Sequence, residues 1–202
     1  MGGIFVNGWD QSVPPPDYAN VLDGVTRVKC ATFDPLWCGA GTVTPADGDV
    51  RFTWLEKVNK PTSVTGMCMV SVVQGSFTGD NNNKLGLYID DGTTLTLVAS
   101  TADDANIWKA VANVVASKAF SSAYVLQPGV QYVGAAIYNN SAQTTAPQAL
   151  AASVTADTYV HPMAKTNRWR FAKLTAQTNL PSTQALSGLA STTKVAWFGV
   201  YQ

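Results

Sequence analysis

The feature that most constrains this chain is its punctuation. From Asp49 onward, short apolar or alternating runs recur about every ten residues, separated by Gly, Pro, Asn and Asp. That spacing belongs to antiparallel sheets, not to strand–helix–strand units. Arg51–Leu55 starts a strand that Lys60-Pro61 ends. Val64–Gln74 is a strand-length run whose Val64, Gly66, Cys68, Val70 and Val72 should share one face. Gly75–Asn83 reads as a turn-rich loop. Lys84–Asp90 and Thr94–Ser100 alternate around Asp91-Gly92, a strong hairpin signal. Gln127-Pro128-Gly129 is a turn, Gln131–Tyr138 a strand, and Val195–Tyr201 a buried final strand.

Two stretches break the pattern. Between Asp103 and Lys118 the spacing of Ile107, Val111, Val114, Val115 and Lys118 fits a helix, with Thr101 as a possible N-cap. The β-branched valines oppose a full helix. The preferred reading is a helical turn at Asp103–Trp108, then a strand from about Val114 to Phe120. Ala142–Thr158 shows no clear period and reads as mostly loop with at most one short strand.

Residues 1–47 are of another kind. Pro14, Pro15 and Pro16 force polyproline II backbone, and Phe5, Trp9, Tyr18, Phe33 and Trp37 stand isolated among glycines and prolines. Large apolar groups on an extended segment need a surface to bury against, either in their own domain or in a neighbour. The expected organisation is an extended N-terminal arm at 1–47 and one domain at 48–202. About eight strands in two sheets would make that domain an all-β, antiparallel, jelly-roll-like β-sandwich.

Charge narrows the functional classes. The chain has 202 residues, with 13 basic and 13 acidic side chains and a net charge of zero. Only 13% of residues are charged, against about 25% in an average domain. Aromatic and β-branched content opposes disorder, and neutrality opposes binding to nucleic acid by phosphate neutralisation. No apolar run approaches the ~18 residues of a spanning helix, and Met1–Asn7 lacks the pattern of a signal peptide. The expectation is a soluble product made in the cytoplasm, with no membrane insertion. Cys30, Cys38 and Cys68 form no metal-type doublet. A Cys30–Cys38 disulfide is possible, but a core of this size does not need one, and three reduced thiols are expected.

Candidate chemistry is sparse. His161 is the sole histidine. It precedes Pro162, which biases it towards extended backbone, and there is no GxSxG elbow for a nucleophile. The acid pairs Asp47/Asp49, Asp90/Asp91 and Asp103/Asp104 could in principle bind calcium or work as acid and base. Turn chemistry and a helix N-terminus explain the last two pairs more simply. No catalytic residue, metal ligand or cofactor is therefore expected. Lys165–Lys173 interleaves basic and aromatic groups, so Arg168, Trp169 and Arg170 form a candidate ligand surface, for example for an acidic glycan. The plainer alternative is a strand with its aromatics inward. Exposed aromatics among Trp9, Trp37, Trp54, Trp108, Trp169 and Tyr138 would mark a sugar site.

The central run from Lys84 to Ser141 resembles a loose group of tailed-bacteriophage virion proteins, the minor tail or tail-fibre-tip proteins. The matching features are Leu87-Tyr88, Asp91-Gly92-Thr93, Leu95, Trp108, Phe120, Tyr124, Leu126, Pro128-Gly129 and Tyr132-Val133-Gly134. The resemblance implies a β-sandwich displayed on the particle, often as a homotrimer, serving assembly or host recognition. It also implies other virion proteins as partners, in tail, baseplate or capsid, and host surface glycan as a further candidate. Assembly contacts would then fall on Phe5, Trp9, Pro14, Pro15, Pro16, Tyr18, Phe33 and Trp37. The resemblance transfers no catalytic or binding motif.

Overall fold

A computed structural model describes residues 28–32, 41–80, 82–153 and 171–202. Phe5, Trp9, Pro14, Pro15, Pro16, Tyr18, Phe33 and Trp37 lie outside the described residues, as do Cys38, His161, Arg168, Trp169 and Arg170.

The described chain is all-β. In order, its strands are β1 (Val28–Ala31), β2 (Thr42–Val43), β3 (Asp49–Trp54), β4 (Thr62–Val73), β5 (Ser76–Gly79), β6 (Leu85–Asp90), β7 (Thr94–Ser100), β8 (Val114–Leu126), β9 (Gln131–Tyr138), β10 (Asn140–Thr145), β11 (Gln148–Ser153), β12 (Phe171–Leu174), β13 (Thr183–Ala185), β14 (Lys194–Ala196) and β15 (Gly199–Tyr201). One sheet runs β12-β3-β9-β6-β7-β13. A second runs β1-β15-β4-β11-β14, with β8 paired to β4 and β2 to β11, while β10 and β5 form a separate ribbon. All pairings are antiparallel.

The two large sheets pack face to face. Val64, Met67 and Met69 of β4, with Ala116, Phe120 and Leu126 of β8, share one core with Leu85 and Leu87 of β6 and Tyr132, Ala136 and Tyr138 of β9. The outer face of the six-stranded sheet is buried as well. There Val50, Phe52, Trp54, Tyr88, Leu95, Val133, Ala135 and Ile137 pack with Leu180, Leu186 and Leu189 from the chain after β12. On the outer face of the other sheet, Val28, Ala31, Cys68 and Trp197 form a third cluster. β9 therefore buries both of its faces, which explains its run of Gly134, Ala135 and Ala136. A Cβ at Gly134 would lie 2.6 Å from Met67 Cε and 3.1 Å from Phe198 Cβ, so a side chain there would have to displace its neighbours in the inter-sheet core.

Most strands fall where the periodicity puts them, and the exceptions have physical causes. The Val64–Gln74 run does not keep one face. A register shift between Val64 and Gly66 moves Val64 to the inter-sheet side with Met67 and Met69, while Cys68 and Val70 face outward. An extra residue on one strand reverses side-chain direction beyond it, and alternation alone does not reveal where it sits. The Gly75–Asn83 loop contains β5, paired with β10. The Ala142–Thr158 stretch holds most of β10 and all of β11 within its described part. Both regions are polar and small, and their strands are set by neighbours rather than by propensity. The helical turn is a 3₁₀ turn at Ala105–Trp108, capped by Asp104 rather than Thr101, with the Asp104 side chain accepting from Asn106 N–H. β8 starts at Val114 as expected but runs on to Leu126. The final apolar run is two strands, β14 and β15, separated by the buried Trp197 and Phe198.

Two pieces of the expected arm belong to the second sheet: β1 pairs with β15, and β2 with β11. Cys30 and Cys68 are buried free thiols. The Cys30 thiol donates to the Glu56 carbonyl at 2.9 Å.

Candidate functional site: a four-loop polar pocket

Each acid pair flagged by the sequence is engaged in holding the fold. Asp49 bonds Arg51 Nη2 at 2.7 Å and accepts from Ala46 N–H at 3.2 Å. Asp90, buried, accepts from the Trp54 indole N–H and from Gly92 N–H, both at 2.7 Å. Asp91 accepts from Thr93 N–H, the Thr93 hydroxyl and Thr94 N–H, each at 2.8 Å. Asp103 accepts from Asn83 N–H at 2.7 Å. Asp104 pairs with Lys118 at 2.6 Å, and that hydrogen bond holds its carboxyl below the usual carboxylate range. Among the described residues, no group of three or more His, Cys, Asp or Glu side chains is placed to hold a metal. No described helix is long and apolar enough to cross a membrane.

The aromatic candidates within the described residues are interior. Trp54, Trp108 and Tyr138 are all buried. Trp108 donates its indole N–H to the Ile137 carbonyl at 2.9 Å, and its ring meets Tyr138 edge-on. These rings cannot serve as a sugar platform. Their role is to close the inter-sheet core.

One cavity gathers polar groups from four loops. It measures about 400 Å³ and is lined by Asp47, Gly48, Asp80, Asn82, Asn139, Ala176, Gln177 and Thr178. The loops are those entering β3, entering β6, joining β9 to β10, and following β12. A buried amide ties two of them together. Asn83 donates through Nδ2 to the carbonyls of Asp80 at 2.7 Å and Asn139 at 3.0 Å, and its Oδ1 accepts from Asn139 N–H at 2.9 Å. Asp47 Oδ1 accepts from Asn140 N–H at 2.8 Å. Gly48 N–H donates to the Tyr138 carbonyl at 2.8 Å, and Gln177 N–H donates to the Gly48 carbonyl at 3.0 Å. The backbone bends sharply here: Gly48, Asn82 and Ala176 have φ of +71°, +77° and +57°. Asn tolerates that region and Ala does so at a cost.

The rim carries two carboxylates, Asp47 and Asp80, and no basic side chain lines the cavity. The charge of Asp47 adds to burial in pushing the Tyr138 phenol up to about 12. Such a lining accepts hydrogen bonds from hydroxyl or amino groups and repels anions. Only Asp47 of this set was singled out by sequence. Asp80, Asn82, Asn83, Asn139 and Gln177 are scattered along the chain, and the one local signal was the run of amides that follows Asp80.

A scan against protein-family models finds no match, and a search of curated proteins finds no significant match.

Proposed function

We propose that the chain is a non-enzymatic structural component of a tailed-phage virion, a minor tail or tail-tip protein carrying a jelly-roll-like sandwich on the particle. The observation that carries this reading is where the resembling residues fall. Leu87, Tyr88, Leu95, Trp108, Phe120, Leu126 and Tyr132 are all buried, and Asp91-Gly92 forms the turn between β6 and β7. The features behind the resemblance are thus the ones that build the two packed sheets. A low-charge surface suits packing beside copies of itself, since like charges do not accumulate. The N-terminal segment, residues 1–47, would supply the contacts to neighbouring virion proteins.

The test combines particle composition with solution mass. Purified particles from an infected host are expected to contain the chain in multiples of its symmetry, and light scattering of the full chain to give a trimer. A stable monomer that never joins particles would overturn the proposal. Labelling that places the chain on the head would move it to the second reading, a capsid decoration or head-fibre protein. A third reading, a carbohydrate-binding module for host surface glycans, is favoured by the four-loop pocket.

A further inference from the structure

We propose that the pocket bounded by Asp47, Asp80, Asn82, Asn139 and Gln177 is a binding site for one uncharged, hydroxyl-rich ring, a single neutral saccharide residue. The assignment rests on the reading of the chain as a display protein at a particle surface and names the ligand class of that site. Three observations converge on it.

The first is size and form. A cavity of about 400 Å³ lies at the lower end of small-ligand sites and has room for one pyranose. The second is rigidity. The Asn83 side chain ties Asp80 to Asn139, and the Gly48–Gln177 bond ties two further loops, so the polar groups are held before any ligand arrives. Preorganised groups spare a ligand the cost of ordering them. The third is chemical balance. Carboxylates accept from hydroxyls, while Asn and Gln both donate and accept, which matches the mixed pattern of a vicinal diol. With two carboxylates and no cation in the lining, phosphate- or carboxylate-bearing glycans are disfavoured. The preference is thus opposite to the acidic glycan that Arg168, Trp169 and Arg170 would favour. The lining also lacks an aromatic face for stacking, so recognition is by hydrogen bonds and the monovalent affinity is weak, with Kd on the order of 1 mM. Repeated copies on one particle would raise it by avidity.

The experiment is an amide NMR titration of the full chain with the methyl glycosides of glucose, galactose, mannose and N-acetylglucosamine. Sialic acid, glycerol phosphate and calcium chloride serve as comparison probes. Asp80→Ala and Asn82→Gly remove pocket groups without touching the core, and Asn82→Gly keeps the positive φ. Expected are saturable shifts confined to Gly48, Asn139, Gln177 and their neighbours with at least one neutral glycoside. Either variant should weaken them at least about tenfold, the loss of roughly one good hydrogen bond. Sialic acid and glycerol phosphate should give none. Absence of shifts with every glycoside, shifts elsewhere, equal binding by both variants, or response to calcium alone would overturn the assignment. Counting the chain in purified particles in parallel separates the two readings. A chain present in particles that binds no glycoside sinks only the pocket, and a chain absent from particles sinks the display reading.

Discussion

At the scale of single residues, the interior shows where polar groups are satisfied and where they are not. Thr53 is buried on β3, and its hydroxyl has no hydrogen-bond partner among the described residues. An unpaired buried hydroxyl costs free energy that a methyl of the same shape does not. Thr53→Val is therefore expected to leave stability unchanged or raise it by up to about 1 kcal/mol, measured as the shift in denaturant midpoint. The two described thiols make a pH prediction. Burial pushes both Cys30 and Cys68 from the ordinary 9.0 up to about 12, the nearby Glu56 adding to the effect at Cys30. The unfolded chain would lose these protons near pH 9, while the folded chain keeps them. Their contribution to stability is thus intact below pH 9 and declines as pH rises from about 9 towards 12. Unfolding midpoints measured from pH 7 to 10.5 should fall, and replacing both with Ser should flatten that slope. Thiol reagent at pH 8 should modify neither residue without unfolding.

At the scale of elements, the bulge in β4 decides which face each side chain meets. Gly66 sits at that irregularity beneath the ring of Tyr201, and a Cβ there would also lie 2.6 Å from the Lys118 backbone carbonyl. Gly66→Ala is expected to cost about 1–3 kcal/mol by forcing the strands apart, read by chemical denaturation. Faster amide exchange at the partners of Gly66, Ala119 on β8 and Tyr201 on β15, in that variant would tie the loss to crowding. How legible each element was follows from what sets it. The β6–β7 hairpin was readable because Asp91-Gly92 encodes its own turn: Gly92 takes φ +99°, and the Asp91 side chain accepts from the residues that follow. β9 was readable because its run has strand length and begins just after the Pro128-Gly129 turn. β5, β10 and β11 were not, since Ser, Asn, Ala and Gln carry little strand propensity, and their pairing comes from partners distant in sequence. The pocket was harder still. Its walls are assembled by Asn83, whose three bonds reach two loops and which no local pattern distinguishes from an ordinary turn amide.

At the scale of the whole molecule, the segment after β12 matters as much as the strands. Leu180, Leu186 and Leu189 cover the outer face of the six-stranded sheet, and the Tyr88 hydroxyl donates to the Pro181 carbonyl at 2.9 Å. Such a cover is invisible to periodicity, because its leucines are spaced irregularly in polar chain. Its presence turns a two-layer packing into one with hydrophobic contacts on both sides of β9. That strand lies between β3 and β6, so its backbone is paired along both edges while its side chains anchor two separate apolar layers. No partial opening frees it, since lifting either layer leaves the other in place. In a deuterium-exchange experiment, amides of Val133–Ile137 should be the slowest in the protein, exchanging only when the entire domain opens. Their rate would then be a direct gauge of global free energy, and each core substitution should move it by the factor its own global destabilisation predicts, whichever layer it weakens.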